Sequence, residues 1–260
     1  MNNTLFKGLQ ILEMLAYSSQ PMRLTDIANN LNLVKSGTHR LLQALVDSKY
    51  VVQDKESGKY STTCKLIELG SAVLPHLALK QQAEGIMQQL MHDTEESVHL
   101  SIQDQHDVVY LHKVDGPAPI PFYTHIGGRA PLYCVATGKA LLAYKNNFFI
   151  EKIKQNLNPR TDNTIINAQQ LEMELQEIKE RGYSINKGEL KAGVYGVAAP
   201  IIDNKGNIIA AIGLSGHSKR FTTQTINKYA DLLMQAAQRI TGLHNGHDQS
   251  ANLQRLILSW

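Results

Sequence analysis

The chain is poor in the residues that staple or anchor a protein from outside its core. It has two cysteines, Cys64 and Cys134, in 260 residues. They lie far apart and neither has a CxxC neighbour, so neither a disulfide framework nor a zinc site is indicated, and a reducing, intracellular setting is the simpler expectation. No apolar run reaches about 18 residues, and Met1 to Leu15 lacks a basic region leading into an apolar stretch and a small-residue cleavage site; a cytoplasmic chain without membrane contact is expected. Charge is also scarce. The net value is +3 with a pI near 8.7, and residues 1 to 75 hold eight Lys/Arg against six Asp/Glu. Charge alone therefore does not advertise a nucleic-acid partner. Internal repeats and low-complexity segments are missing. What remains is ordinary globular composition, 43% hydrophobic and 19% charged, enough for one large core or two modest ones.

Leu5, Leu9, Leu12 and Ala16 recur at helical spacing until Ser18-Ser19-Gln20-Pro21. Thr25 is expected to cap a short helix over Asp26 to Leu31, with Asp26 favourable to the helix dipole and the Asn29-Asn30-Leu31-Asn32 stretch ending it. A third helix is expected from Lys35 to Ser48. On its wheel Thr38, Leu41, Leu42 and Leu45 share one arc, while Ser36, His39, Arg40, Gln43 and Asp47 share the opposite one. Val51-Val52-Gln53 and Lys59-Tyr60-Ser61 then flank Glu56-Ser57-Gly58, a hairpin signal.

A polar helix face by itself usually means only solvent. Here the order matters: a short helix, a tight turn, a polar-faced helix and a hairpin with Lys59 at its stem form the sequence of a winged helix-turn-helix. The free arc carries groups that hydrogen-bond phosphates or base edges, and Lys35 and Ser36 sit where unpaired helix N–H groups attract phosphate. DNA contact is assigned to Arg23, Thr25, Lys35, Ser36, Gly37, His39, Arg40, Gln43 and Lys59.

Helical stretches from Cys64 to Leu74 and Leu77 to Thr94, broken at Pro75, read as a connector. Beyond it, strands are expected at Ser97 to Gln103, Val108 to Val114, Ile120 to Ile126, Tyr183 to Asn186, Val194 to Ile202 and Ile208 to Ser215. Helices are expected at Ala136 to Tyr144, Phe148 to Gln155, Ala168 to Glu180 and Thr222 to Leu243. This is an α+β domain on a mostly antiparallel sheet. The expected division is 1–63 winged helix-turn-helix, 64–80 helical connector, 81–245 ligand-binding domain and 246–260 tail. Leu253, Leu256, Ile257 and Trp260 give the tail a helical spacing without an assigned role.

The second domain supports a pocket better than a catalyst. Thr137-Gly138-Lys139 opens a helix whose free N–H groups suit a carboxylate. It is not a P-loop, since Tyr133 and Ala140 stand where that motif needs Gly and Ser/Thr. Gly213-Leu214-Ser215-Gly216 is not a GxSxG elbow, so Ser215 is either a ligand partner or a strand terminus. The pairs His99/His112 and His244/His247 lack a carboxylate or Cys partner at ligand spacing, and no metal or cofactor is expected.

Arg23-Leu24-Thr25-Asp26-Ile27-Ala28, Leu31 through Leu42 and Lys49-Tyr50-Val51 resemble the N-terminal domain of IclR-family bacterial regulators. Glu96 through Leu100, Val109 through Val114, Gly127 through Leu132, Ala136 through Ala143, Glu189-Leu190, Gly193-Val194 and Ala198-Ala199-Pro200 are similar to that family's effector domain, in the family's order. The resemblance implies a GAF-like effector domain and a non-enzymatic repressor of a catabolic operon. Its partners would be operator DNA and a small carboxylate effector, and it would act as a homodimer or dimer of dimers. The segments Val108 to Lys113 and Tyr123 to Tyr133 look like the sugar-acid-responsive branch, which favours a sugar acid over an aromatic acid. The resemblance implies effector contacts at Ala136, Thr137, Asn186, Gly196, Gly213 and Ser215, and the helix opening after Pro131-Leu132-Tyr133 adds Tyr133 and Gly138 to the candidate effector residues.

The chain departs from the family pattern at Val34, Gly37 and Lys49, where Pro, Thr and Gly are usual. Gly37 either permits close backbone approach to DNA or weakens the helix start. In the effector site Asn186, Gly196 and Gly213 replace an acidic residue, a Cys and a Ser of keto-acid binders, which implies a roomier cavity. The competing reading is that they are the small residues a tight sheet requires. Two rival functions stay open on the sequence: a metabolite-modifying enzyme tethered to DNA, and a DNA-binding protein that senses no ligand.

Overall fold

The computed structural model describes residues 3–73, 77–120 and 124–257. Two compact units are present, Met1–Pro75 and His76–Trp260.

In the first unit, α1 (Asn3–Tyr17) buries Ile11 and Leu15 against α2 (Leu24–Asn30) and α3 (Lys35–Asp47). Ile27, Leu42, Val51 and Tyr60 complete that core. Strands β1 (Val51–Gln53) and β2 (Tyr60–Thr62) pair antiparallel, with Gln53 opposite Tyr60. Met22 adds a bridge to Tyr60, so the chain before α2 is tied to the hairpin. Asp54 accepts from the Ser57 N–H at 2.7 Å and from its hydroxyl at 2.6 Å, and Gly58 takes φ +68°, which together close the turn. α4 (Lys65–Val73) follows. The expected break at Pro75 lies outside the described residues.

Helix α2 starts one residue before Thr25. Its N-cap is Arg23, without a side-chain cap bond, because the Asp26 and Ile27 N–H groups both donate to the Arg23 carbonyl. Thr25 is thus inside the first turn and donates weakly to Asp26 at 3.3 Å.

The second unit opens with α5 (Leu77–Thr94) and then a six-stranded antiparallel sheet in the order β5-β4-β3-β8-β7-β6. The strands are β3 (Ser97–Asp104), β4 (Asp107–Val114), β5 (Arg129–Pro131), β6 (Ser184–Lys187), β7 (Val194–Ile202) and β8 (Ile208–His217). Helix α5 packs on β3 and β4, while α9 (Thr223–Ile257) packs on β7 and β8. The opposite face receives α6 (Ala136–Ala143), which is in turn backed by α8 (Ala168–Arg181). α7 (Asn147–Lys154) joins the α6 layer through Ile150 and Ile153. Side-chain caps from Asn146 to Phe149 N–H and from Asn167 to Gln170 N–H start α7 and α8.

Two expectations change. Of the strand expected at Ile120 to Ile126, residues 121–123 lie outside the described residues, and the flanking positions are not strand. Gly127, at φ +79°, instead turns the chain so that Arg129–Pro131 forms the edge strand on β4. At the C-terminus α9 continues through Ile257, where a separate tail is expected from Gly246. Trp260 lies outside the described residues.

Candidate functional site

In the first unit, Ser36, His39, Arg40, Gln43 and Asp47 are exposed on α3, while Thr38 and Leu42 are buried. Thr38 spends its hydroxyl on the Val34 carbonyl at 3.2 Å, which lets a polar residue sit in the packed arc. The Gln43 amide donates to Asp47 at 2.8 Å, so its carbonyl is the end left outward. Arg23, Thr25 and Lys35 are exposed near the starts of α2 and α3. Lys59 is half-buried just before β2, and its carbonyl accepts from Asp54 N–H at 2.8 Å. The N-cap of α3 is Val34, which has no side chain to cap with, so the first N–H groups of that helix are not taken up by one.

In the second unit, Ala136, Thr137, Asn186, Gly196, Gly213 and Ser215 do converge, around a cavity of about 20 Å³ that His99 and Tyr110 also line. The expected roominess is not there. A Cβ on Gly213 would lie 2.9 Å from Thr137 Cγ2, and one on Gly196 would lie 3.6 Å from Ala136 Cβ. The first turn of α6 has settled into the space that the two glycines release. About 20 Å³ is room for one water molecule.

Tyr133 and Gly138 lie apart from this cavity. The Tyr133 hydroxyl donates to the Asn158 carbonyl at 3.0 Å and accepts its N–H at 2.9 Å, facing a separate cleft with His106, Lys152 and Arg160. Gly138 is required by packing, since a Cβ would fall 2.2 Å from the Leu132 carbonyl oxygen. Lys139, 1% exposed, turns to Glu189 at 2.8 Å and Glu174 at 3.2 Å and is unavailable to a ligand anion. Burial raises the Glu189 pKa, with the Lys139 charge opposing. Asn186 donates to the Cys134 carbonyl and accepts the Gly188 N–H at 2.9 Å, which fixes it as a wall.

His99, weighed in the sequence only as a metal partner of His112, lines the cavity along with Tyr110. Its Nε2 lies 2.7 Å from Ser215 Oγ, a pair separated by 116 residues in sequence. Burial, with help from the Lys113 charge, lowers its pKa to about 3, so the ring is neutral. A serine beside a histidine invites a nucleophile-and-base interpretation. Nothing orients the ring from its other side, because Nδ1 has no partner, and an imidazole with so low a pKa is a poor proton acceptor at neutral pH. His112 meets Glu84 on the other face of the sheet, so the two histidines do not form a metal pair. No metal-binding cluster of His, Cys, Asp and Glu occurs among the described residues. Nor, among them, is any helix long and apolar enough to cross a membrane.

A winged helix-turn-helix followed by a six-stranded α+β unit defines a class: a DNA-binding transcription regulator with a second domain. The first part matches the IclR helix-turn-helix domain over residues 4–55, and the second matches the bacterial transcriptional regulator IclR C-terminal domain over residues 71–242. The chain belongs to the IclR family, a family of non-enzymatic transcription regulators. It is 32% identical over 248 residues to the HTH-type transcriptional regulator KdgR of Escherichia coli strain K12, covering 95% of this chain and 94% of that one. It is 28% identical over 247 residues to the transcriptional repressor IclR of the same strain, covering 94% and 90%. Among solved structures, the Thermotoga maritima IclR superposes with a TM-score of 0.81 at 31% identity, over 94% of this chain and all of that one. An IclR homolog from Microbacterium hydrocarbonoxydans complexed with 4-hydroxybenzoate superposes with a TM-score of 0.81 at 22% identity, over 93% and 98%, and thereby shares the fold.

Proposed function

We propose that the chain is a repressor of a catabolic operon whose DNA affinity is set by a small carboxylate, with a sugar acid favoured. The observation that carries this is the cavity itself: the N-terminal turn of α6, at Ala136 and Thr137, meets Asn186, Gly196, Gly213 and Ser215 at one point. Helix N-termini favour anions, and the walls set the polar groups of His99, Asn186 and Ser215 among apolar Val135, Tyr110 and Leu214. Because about 20 Å³ holds no metabolite, a ligand must bind an arrangement in which α6 has moved off the sheet. Binding that selects such an arrangement is how a ligand shifts a population. The resemblance of residues 108–113 and 123–133 to the sugar-acid-responsive branch of the family favours a sugar acid. The aromatic-acid reading has its own support in the 4-hydroxybenzoate held by a protein of the same fold.

On the DNA side, Ser36, His39, Arg40 and Gln43 would enter the major groove, with Arg23, Thr25, Lys35 and Lys59 on phosphates and Gly37 admitting close approach. Binding as a homodimer or dimer of dimers follows from paired half-sites. The test is a mobility shift on the DNA upstream of its own gene, with and without sugar acids and aromatic acids. Release or tightening by one class supports gating, and a shift unchanged by every acid refutes it. Arg40→Ala should cost about 1–3 kcal/mol on that DNA and much less on random DNA. Equal loss on both would make Arg40 a phosphate contact.

A further inference from the structure

The face of the sheet that looks toward α6 carries polar side chains on β3 that the packing does not use up. Ser97, His99 and Ser101 alternate along β3 and share that face, opposite Ser215, Gly213 and Ala211 of β8. Ser97 Oγ accepts the Gly116 N–H at 3.2 Å. The other two have capacity to spare. His99 Nδ1 and Ser101 Oγ are shut off from solvent without a hydrogen-bond partner, in residues 3% and 0% exposed. Buried polar groups are nearly always satisfied, so an unpaired Nδ1 on His99, which lines the cavity, with the unpaired Ser101 across from the lining residue Tyr110, points to a partner that comes from outside. Val98 and Leu100, facing the other way on the same strand, are buried and apolar.

The chemistry of these two groups selects among ligand groups. With Nε2 committed to Ser215, Nδ1 is a donor if Ser215 donates to the ring and an acceptor if the ring donates to Ser215. A hydroxyl suits both cases, since it gives and takes; an ionised carboxylate only accepts and gains no charge attraction from a neutral ring. Ser101 offers the same versatility. The α6 N-terminus, by contrast, offers only donors. The two ends of the site therefore ask for different things.

We propose that His99 is the specificity-determining residue of this site: its Nδ1 pairs with a hydroxyl of the effector, Ser101 supports it, and acids without that hydroxyl are rejected. This rests on the reading of the cavity as the effector site. A site that leaves buried polar groups unpaired discriminates strongly against the analogue lacking the matching group.

The experiment is calorimetric titration of the full chain with acids in matched pairs: gluconate against hexanoate, and 4-hydroxybenzoate against benzoate. At least one hydroxylated acid should bind, and its hydroxyl-free counterpart should bind at least about tenfold more weakly. His99→Leu should shrink that gap to about twofold or less, Ser101→Ala should narrow it, and His99→Gln, which still donates and accepts, should keep most of it. Melting curves of each variant check folding; if His99→Leu does not fold, the Ser101→Ala and His99→Gln comparison decides. Equal affinities within both pairs, or a gap that survives both removals, overturn the role of His99 while leaving the carboxylate reading intact. Binding of none of the acids overturns both.

Discussion

A side chain at position 37 would meet nothing within 4 Å. The glycine there answers no steric demand inside its own unit, although it sits in α3 beside the exposed Ser36 and Arg40. Gly37→Ala should raise the unit's stability by about 0.5–1 kcal/mol through helix propensity. If backbone approach to DNA is its purpose, operator affinity falls in the same variant. Melting and mobility-shift measurements separate the two, and unchanged affinity would reduce Gly37 to a weak helix start. Lys49 is the opposite case. It holds φ +64°, a left-handed conformation, where the family pattern has glycine. Lys49→Gly should stabilise the unit by about 0.5–1 kcal/mol, read as a higher denaturant midpoint. Val34 already has φ −71°, the angle a proline would fix, so that departure needs no change of backbone angle at the position.

Among elements, α6 depends on two absent side chains. A Cβ on Gly213 would stand 2.9 Å from both Ala198 Cβ and Thr137 Cγ2 and 3.0 Å from the Val197 carbonyl. Gly213→Ala should therefore cost about 1–3 kcal/mol by overpacking, measured by chemical denaturation. A neutral result would mean that α6 yields easily. Most elements are legible in the sequence, because periods of 3.6 and 2 are written into neighbouring residues: the Leu41-Leu42-Leu45 arc, the hairpin around Glu56 to Gly58, and the full extent of β7. The seating of α6 on Gly196 and Gly213 was not legible, since two glycines look the same whether they open a cavity or admit a helix. Nor was the role of His99, whose partner lies 116 residues away. Edge strand β5 was missed for a different reason: its three residues, Arg129–Pro131, are too few to show alternation.

For the whole second unit, the buried neutral His99 links stability to pH. Its folded pKa of about 3 lies below the ordinary value of 6.5, so the unfolded chain binds the proton first. The stability it contributes is complete above about pH 6.5 and is lost as pH falls toward 3. Between about pH 6.5 and 5, above the range of ordinary carboxylates, the wild type should lose stability faster than His99→Gln. Parallel pH profiles of denaturant midpoints would show that His99 is not buried neutral. A different property of the unit comes from the irregularity in β4. The register shift against Leu100 and Ser101 makes Leu111 an extra residue, so Tyr110 and His112 face opposite sides of the sheet. Tyr110 lines the cavity, and His112 holds Glu84 of α5. One strand thus belongs to both layers: the same bulge that turns Tyr110 into the cavity wall turns His112 toward α5, the helix that follows the DNA-binding unit along the chain.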